Sequence, residues 1–381
     1  MNHYRCMWTI VGLGALALAG CGASPPATAA APPFLYVANS KSDTISQYSA
    51  SASDFGALTP LAPATVPTGS FPYGIAINPQ GTSVYAADVD SNEVSQYTIN
   101  PITGQLTPKT PATVAAGRNS VEVAVTPNGE SAYVVDHNAV SQYTINPTTG
   151  KLTPKSPAMV AAGPQSEAIA ISLNGRYAYV ANCPDCMVRL RGSHPSSPPL
   201  PTTAGSTIWE YRINQTTGAL SRVGTVATGN GANGIAITPN GKSLYVAVNA
   251  VWQYTINPTT GKLTPKTPAT VPAPGTAHEI AIAPDGKSAY VVTVANNTLS
   301  QYRINPRTGA LSAKPVSTAR TALHPEAIKI APDGQSLYVT SENDGKLSQY
   351  AIDPTNGKIT PMSPATVPTA SGSLGLAITP D

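Results

Sequence analysis

The chain has 381 residues, 11% of them charged, and a formal net charge of +3 at pH 7. It carries no basic run and no acidic block, which excludes nucleic acid as a partner, because that binding leans on clustered lysine and arginine. With 38 prolines, 31 glycines and no long helical periodicity after residue 20, the composition excludes a helical bundle and points to short strands and turns.

Residues 1–20 read as a signal peptide outside the fold. His3 and Arg5 precede an apolar stretch from Met7 to Leu18, shorter than a bilayer span and of the length of a signal core. It ends in Leu18-Ala19-Gly20-Cys21, which resembles the lipobox of bacterial lipoproteins. That resemblance makes Cys21 the expected lipidation site and residues 21–33 a lipidated cysteine with a semi-extended, Pro/Ala-rich tether. The protein is then expected to be extracytoplasmic, periplasmic or at the cell surface, with the membrane as a partner through its anchor. Loss of residues 1–20 removes Arg5 and no acid, leaving a formal charge of +2.

From residue 34 the same phrases recur. Tyrosines stand at 36, 85, 133, 179, 245, 290 and 338, and a second set at 48, 97, 143, 211, 254, 302 and 350. A small apolar phrase precedes the first tyrosine of most units, as in Gly234-Ile-Ala-Ile before Tyr245. Between them Asn240-Gly241 closes a tight hairpin, since that pair tolerates positive φ. A third run, Trp252-Gln-Tyr-Thr-Ile, stops at Asn257-Pro258, and Gly261 turns the chain into a fourth run rich in proline with one lysine. Each unit is thus a four-stranded antiparallel meander, with the small apolar run innermost and the Pro/Lys run guarding an outer edge. The chain opens on a tyrosine phrase and closes on an unmatched apolar phrase, so the ends must join. Residues 34–381 are therefore expected to form an all-β, seven-bladed β-propeller, whose first blade takes its inner strand from residues 374–379.

The spacing between first tyrosines stretches to 66 residues in the fourth unit, which places an insertion at about 183–206. It begins Cys183-Pro-Asp-Cys186. In an exported protein these cysteines read as a small disulfide pinning the insertion; a thiol redox site would want a thioredoxin-like pattern around it. The loop itself is either a lid over one mouth of the channel or a bare exposed loop.

The links leading into the inner strands gather at one mouth of the channel. They bring Glu122, Glu167, Asn233, His278, Glu279 and Glu326 to positions where the repeat otherwise wants small or apolar residues, with Arg118, Arg320 and His324 a few residues upstream. In the seventh inner phrase Lys329 replaces an alanine and must reach the channel or find an acid, with Glu122, Glu279 and Glu326 as candidates. Such a ring either solvates the opening or forms a site. No cofactor is expected, although calcium or another divalent metal suits these ligand types. Asp88-x-Asp90-x-Asn92 has the start of a calcium loop without its later glycine and glutamate. No nucleophile motif or phosphate-binding loop is present, so any chemistry would be acid–base or metal-assisted.

The phrases Leu35-Tyr-Val-Ala-Asn, Ala331-Pro-Asp-Gly-Gln-Ser-Leu-Tyr-Val and Gln142-Tyr-Thr-Ile-Asn-Pro-Thr-Thr-Gly-Lys-Leu resemble the lactonase-type seven-bladed propellers. That group includes 6-phosphogluconolactonases and muconate cycloisomerases and is close to the YVTN-repeat surface proteins. The resemblance implies channel-mouth catalysis by Arg118, His278, Glu279, His324 and Glu326, with Glu122, Glu167, Asn233, Arg320 and Lys329 as binding residues. Two functions are carried forward. The first is a lipid-anchored propeller that binds a ligand or partner protein through this face. The alternative is a lactonase-type hydrolase or cycloisomerase acting on a lactone in the channel mouth.

Overall fold

Each repeat folds where its residue pattern places it. In the fifth, strands run over Ile235–Ile237, Ser243–Ala247, Ala250–Ile256 and Leu263–Pro272, hydrogen-bonded in that order. The hairpin between the first two closes at Gly241, whose φ of 67° is the left-handed conformation expected of the Asn-Gly pair. The structure, a computed structural model, describes residues 32–51, 56–184, 205–229 and 231–380. The signal peptide, Cys21 and nearly all of the tether lie outside the described residues, as do Cys186 and residues 185–204 of the insertion. Cys183 is buried and disulfide-bonded.

Seven sheets of four antiparallel strands result, with no helix among the described residues. The first sheet closes the ring: Ser373–Ile378, one residue earlier than the phrase boundary suggests, pairs antiparallel with Phe34–Asn39. Thr379 N donates to Phe34 O at 2.8 Å and Phe34 N to Thr379 Oγ1 at 2.8 Å, extending the seam past the strand end.

The tyrosines hold blade to blade. The first set, from Tyr36 round to Tyr338, donates each hydroxyl to a glycine carbonyl on the outer turn of the next blade, at 2.5–2.8 Å. The second set, from Tyr48 to Tyr350, donates to the end of the preceding blade's outer strand at 2.5–2.9 Å. A buried phenol needs such a partner, so the repeat keeps an aromatic ring for packing and a hydroxyl for the carbonyl. The glutamine before the second tyrosine adds another tie. In the second blade Gln96 donates to Pro111 O within its own blade and accepts from Leu152 N of the next.

The outer lysines do more than guard an edge. Lys109, Lys155 and Lys266 each donate to a threonine carbonyl of the following blade at 2.8 Å. The sixth blade departs from the pattern. Its outer strand is only Ser317–Arg320, where the other blades have eight to ten residues.

Candidate functional site

The links into the inner strands are fixed by clamps between neighbouring blades. Asp43 Oδ1 accepts from Phe71 N, Asn92 Oδ1 from Asn119 N and Asn297 Oδ1 from His324 N, at 2.8–2.9 Å. The receiving residues lie in the left-handed region, at φ of 55°, 54° and 59°. That conformation costs a residue with a side chain about 1–2 kcal/mol. His324 is thus held by the backbone of one blade and the side chain of another.

Glu326, at the start of the seventh inner strand (Pro325–Ile330), is the centre of the cluster that follows. Its Oε1 lies 2.7 Å from His324 Nδ1 and its Oε2 3.4 Å from His278 Nε2. His278 stands on the sixth inner strand (Ala277–Ile282) and also turns its Nδ1 to the Glu326 carbonyl at 3.2 Å. Glu342, just after the second strand of the seventh blade, puts Oε2 3.3 Å from His324 Nδ1 and Oε1 3.3 Å from Lys41 Nζ of the first blade. The acids are buried, at 7% and 9% side-chain exposure, while His278 and His324 keep 22% and 21% open to solvent. Acid and base therefore alternate from His278 through Glu326, His324 and Glu342 to Lys41.

His324 Nδ1 lies close to two carboxylate oxygens and leaves Nε2 on the side away from them.

A second group occupies the channel. Glu122, Glu279 and Lys329 line a cavity of about 290 Å³ whose remaining wall is mostly isoleucine and alanine. Lys329 both reaches the channel and finds acids. Burial pushes Glu122 up to about 8, with Lys329 pulling it down and Glu279 pushing it further up. Glu279 is also raised by burial, against its bond to Ile280 N and the pull of Lys329. Glu167 is raised to about 8 by burial, and its Oε1 is buried without a hydrogen-bond partner among the described residues. Tyr73 shares this space: burial and the charges of Glu326, Glu167, Glu122 and Glu279 hold its phenol well above its usual range. All of these side chains keep some access to channel water, which tempers the shifts.

The ring expected from the sequence thus divides in two. His278, His324 and Glu326 meet at the face, whereas Glu122, Glu279 and Lys329 meet in the channel. Arg118 is exposed on the third blade, where burial first and then its charge lower His137. Arg320 ends the sixth outer strand, exposed, with Nη1 on Asn296 O at 3.3 Å. Asn233 leads into the fifth inner strand, its N–H on Ala247 O. The calcium-like run around Asp88 serves the backbone: buried Asp88 accepts from Thr68 Oγ1, Ser95 N and Ser95 Oγ. Lys41 and Tyr73 join the site without having been singled out. Tyr73 had a signal, since it stands outside both repeating tyrosine sets.

The family described as Lactonase, 7-bladed beta-propeller, matches residues 27–123, 112–278 and 265–372. Among solved structures, a candidate 6-phosphogluconolactonase from Bacteroides fragilis is 16% identical at a TM-score of 0.72, covering 93% of this chain and 99% of its own. The periplasmic gluconolactonase of Pseudomonas aeruginosa is 15% identical at 0.70, with 91% and 99% covered. Hydrazine synthase from Kuenenia stuttgartiensis, 15% identical at 0.60 with 88% and 92% covered, is built on a similar ring. At such identities the likeness is one of fold, and a shared ring does not fix the chemistry. No curated protein sequence matches the chain.

Proposed function

The chain belongs to the lactonase family of seven-bladed β-propellers, and on that premise we propose that it hydrolyses an uncharged lactone at the channel mouth. The observation that carries this reading is the Glu326 carboxylate set between two imidazoles, with His324 Nδ1 at 2.7 Å. The first expectation from the sequence, a binding module, has no comparable support, because the family match favours the hydrolase alternative.

With Nδ1 turned to the carboxylates of Glu326 and Glu342, His324 offers Nε2 as a general base to a water molecule. The water oxygen bonds to the lactone carbonyl carbon as its proton passes to Nε2. Negative charge then builds on the carbonyl oxygen, where the His278 ring and the Lys41 ammonium are the groups of the cluster able to donate to it. Collapse breaks the bond between the carbonyl carbon and the ring oxygen, which takes the proton back from His324. The product is an open-chain hydroxy acid.

The substrate's charge follows from the surroundings. Burial holds Glu122, Glu167 and Glu279 toward their neutral forms, so the carboxylates beside His324 at the mouth are those of Glu326 and Glu342. Lys41 is engaged with Glu342 and Lys329 lies among the channel acids, so neither is set out for a phosphate, while a neutral polyhydroxylated lactone finds acceptors. The resemblance of residues 18–21 to a lipobox supports the same choice, since a phosphorylated sugar lactone is not generally available outside the cytoplasm, and one solved structure of the same fold is a periplasmic gluconolactonase.

The test is acid release measured by pH-stat, with the full chain and a panel of aldonolactones, phosphorylated and not. The expected result is turnover of an unphosphorylated lactone that falls about 10²–10⁴-fold in His324→Ala. A panel that hydrolyses no faster than in buffer, or turnover unchanged in both His324→Ala and Glu326→Gln, overturns the reading.

A further inference from the structure

We propose that His324, Glu326 and Glu342 form a site for one first-row divalent cation of the zinc or manganese type. Their three donor atoms lie within 4.8 Å of one another. His324 Nδ1 stands 2.7 Å from Glu326 Oε1 and 3.3 Å from Glu342 Oε2. Donors that each sit about 2.0–2.2 Å from such an ion are about 3 Å apart, so little movement is needed to admit one.

The surroundings select these atoms as ligands. Each carboxylate turns one oxygen to the common centre and has the other held from outside. Glu326 Oε2 faces His278 Nε2 at 3.4 Å, and Glu342 Oε1 faces Lys41 Nζ at 3.3 Å. Outer partners of this kind orient the carboxylates that bind metals and hold them to one oxygen each. The histidine is fixed as well. Asn297 Oδ1 receives its backbone N–H at 2.8 Å, and Glu342 N donates to its carbonyl at 3.1 Å, so ligands one and three are tied through the main chain.

The donor set names the class of ion. One imidazole nitrogen and two carboxylate oxygens suit zinc, manganese or iron(II), whereas calcium asks for six to eight oxygens. Three protein ligands leave positions for water, the arrangement of an ion that is not merely structural. The ion would bind the Nδ1 lone pair with the ring proton on Nε2, so Nε2 serves as a base only in the metal-free chain. This site goes beyond the hydrolase reading and does not depend on it, since its readout is binding.

The chain, untagged and stripped with EDTA, is titrated calorimetrically with zinc chloride and with manganese chloride. One saturable site is expected for at least one of the two ions. Its affinity should fall about tenfold or more in Glu342→Gln and in His324→Ala, with unchanged melting curves in the absence of metal. Absence of saturable binding of both ions overturns the proposal, as does equal affinity in the variants. Where His324→Ala fails to fold, the near-isosteric Glu342→Gln decides alone. Lactone turnover is measured separately, so a failure of this site and a failure of the hydrolase reading are told apart.

Discussion

A β-carbon on Gly234 would stand 2.5 Å from Glu279 Oε1 and 2.7 Å from Glu279 Cα, so this glycine is the space into which the next blade's acid folds. The same relation joins Gly74 to Glu122, at 2.9 Å from Oε2 and 2.7 Å from Cα. Glycine precedes each of these glutamates round the ring, while Ala168 and Ala327 precede glycines. Part of each contact is backbone, which cannot swing away. Gly234→Ala is therefore expected to lower stability by about 1–3 kcal/mol, as overpacking does, and to displace Glu279. Denaturant unfolding measures the loss, and a variant as stable as the parent would mean that the two blades do not approach in this way.

The tyrosine hydroxyls make a second prediction. Tyr245 is fully buried and donates to Gly309 O at 2.6 Å. Tyr245→Phe keeps the packing and leaves that carbonyl unpaired, at a cost of about 1–3 kcal/mol. Tyr73→Phe is the contrast, because its ring lies among the channel acids and belongs to neither repeating set. It should unfold within about 0.5 kcal/mol of the parent. Equal losses in the two variants would remove the distinction between a hydroxyl that joins blades and one that faces the channel.

The ring was legible in the sequence because its signals repeat. Asn-Gly turns, paired tyrosines and small inner phrases each recur round the chain, and the unmatched ends call for closure. The composition of the site was less legible, for physical reasons. His278 and Glu279 are neighbours in sequence, but the pairing register shifts between Ala277 and Glu279, so His278 stands outside the regular alternation of the strand. His278 therefore reaches Glu326 while Glu279 joins Glu122 and Lys329 in the channel wall. Lys41 meets Glu342 only because closure sets the first blade beside the seventh, a contact spanning about 300 positions. Asp88 and Asn92 looked like ligands; they serve the backbone, since a buried turn must satisfy its own N–H groups before any ion.

Closure itself can be cut. Removal of residues 374–381 takes away most of the closing strand, including buried Leu374, Leu376 and Ala377, and strips Leu35, Tyr36 and Val37 of their partners on the inner edge. Each buried leucine is worth about 1.5–3 kcal/mol, and the loss of pairing adds to that, against a total stability of about 5–15 kcal/mol. The truncated chain is expected to melt far below the intact one or not to fold. An unchanged melting temperature would show that the first blade does not need its borrowed strand.

The channel acids set a pH dependence whose sign follows from their shifts. Glu122 and Glu167 move from the usual 4.5 to about 8 in the folded protein. Between those values the native state holds protons that the unfolded chain has released, so stability falls as pH rises from about 4.5 to about 8 and levels off above. Buried Asp88 and Asp136, raised to about 7 and about 6, act in the same direction over the lower part of that window. Each group contributes at most about 1.4 kcal/mol per pH unit, and less in a wet channel. Glu122→Gln should therefore flatten the curve and raise stability near the alkaline end. Lys329→Met should do the reverse, because Lys329 is the cation that pulls Glu122 and Glu279 down. Without it their protons are held to higher pH, and the folded state becomes weaker there than in the parent. Unfolding curves taken at several pH values across the window test both signs at once. A parent whose stability does not decline across it, or variants that move together, would mean that the acids and Lys329 do not share one channel.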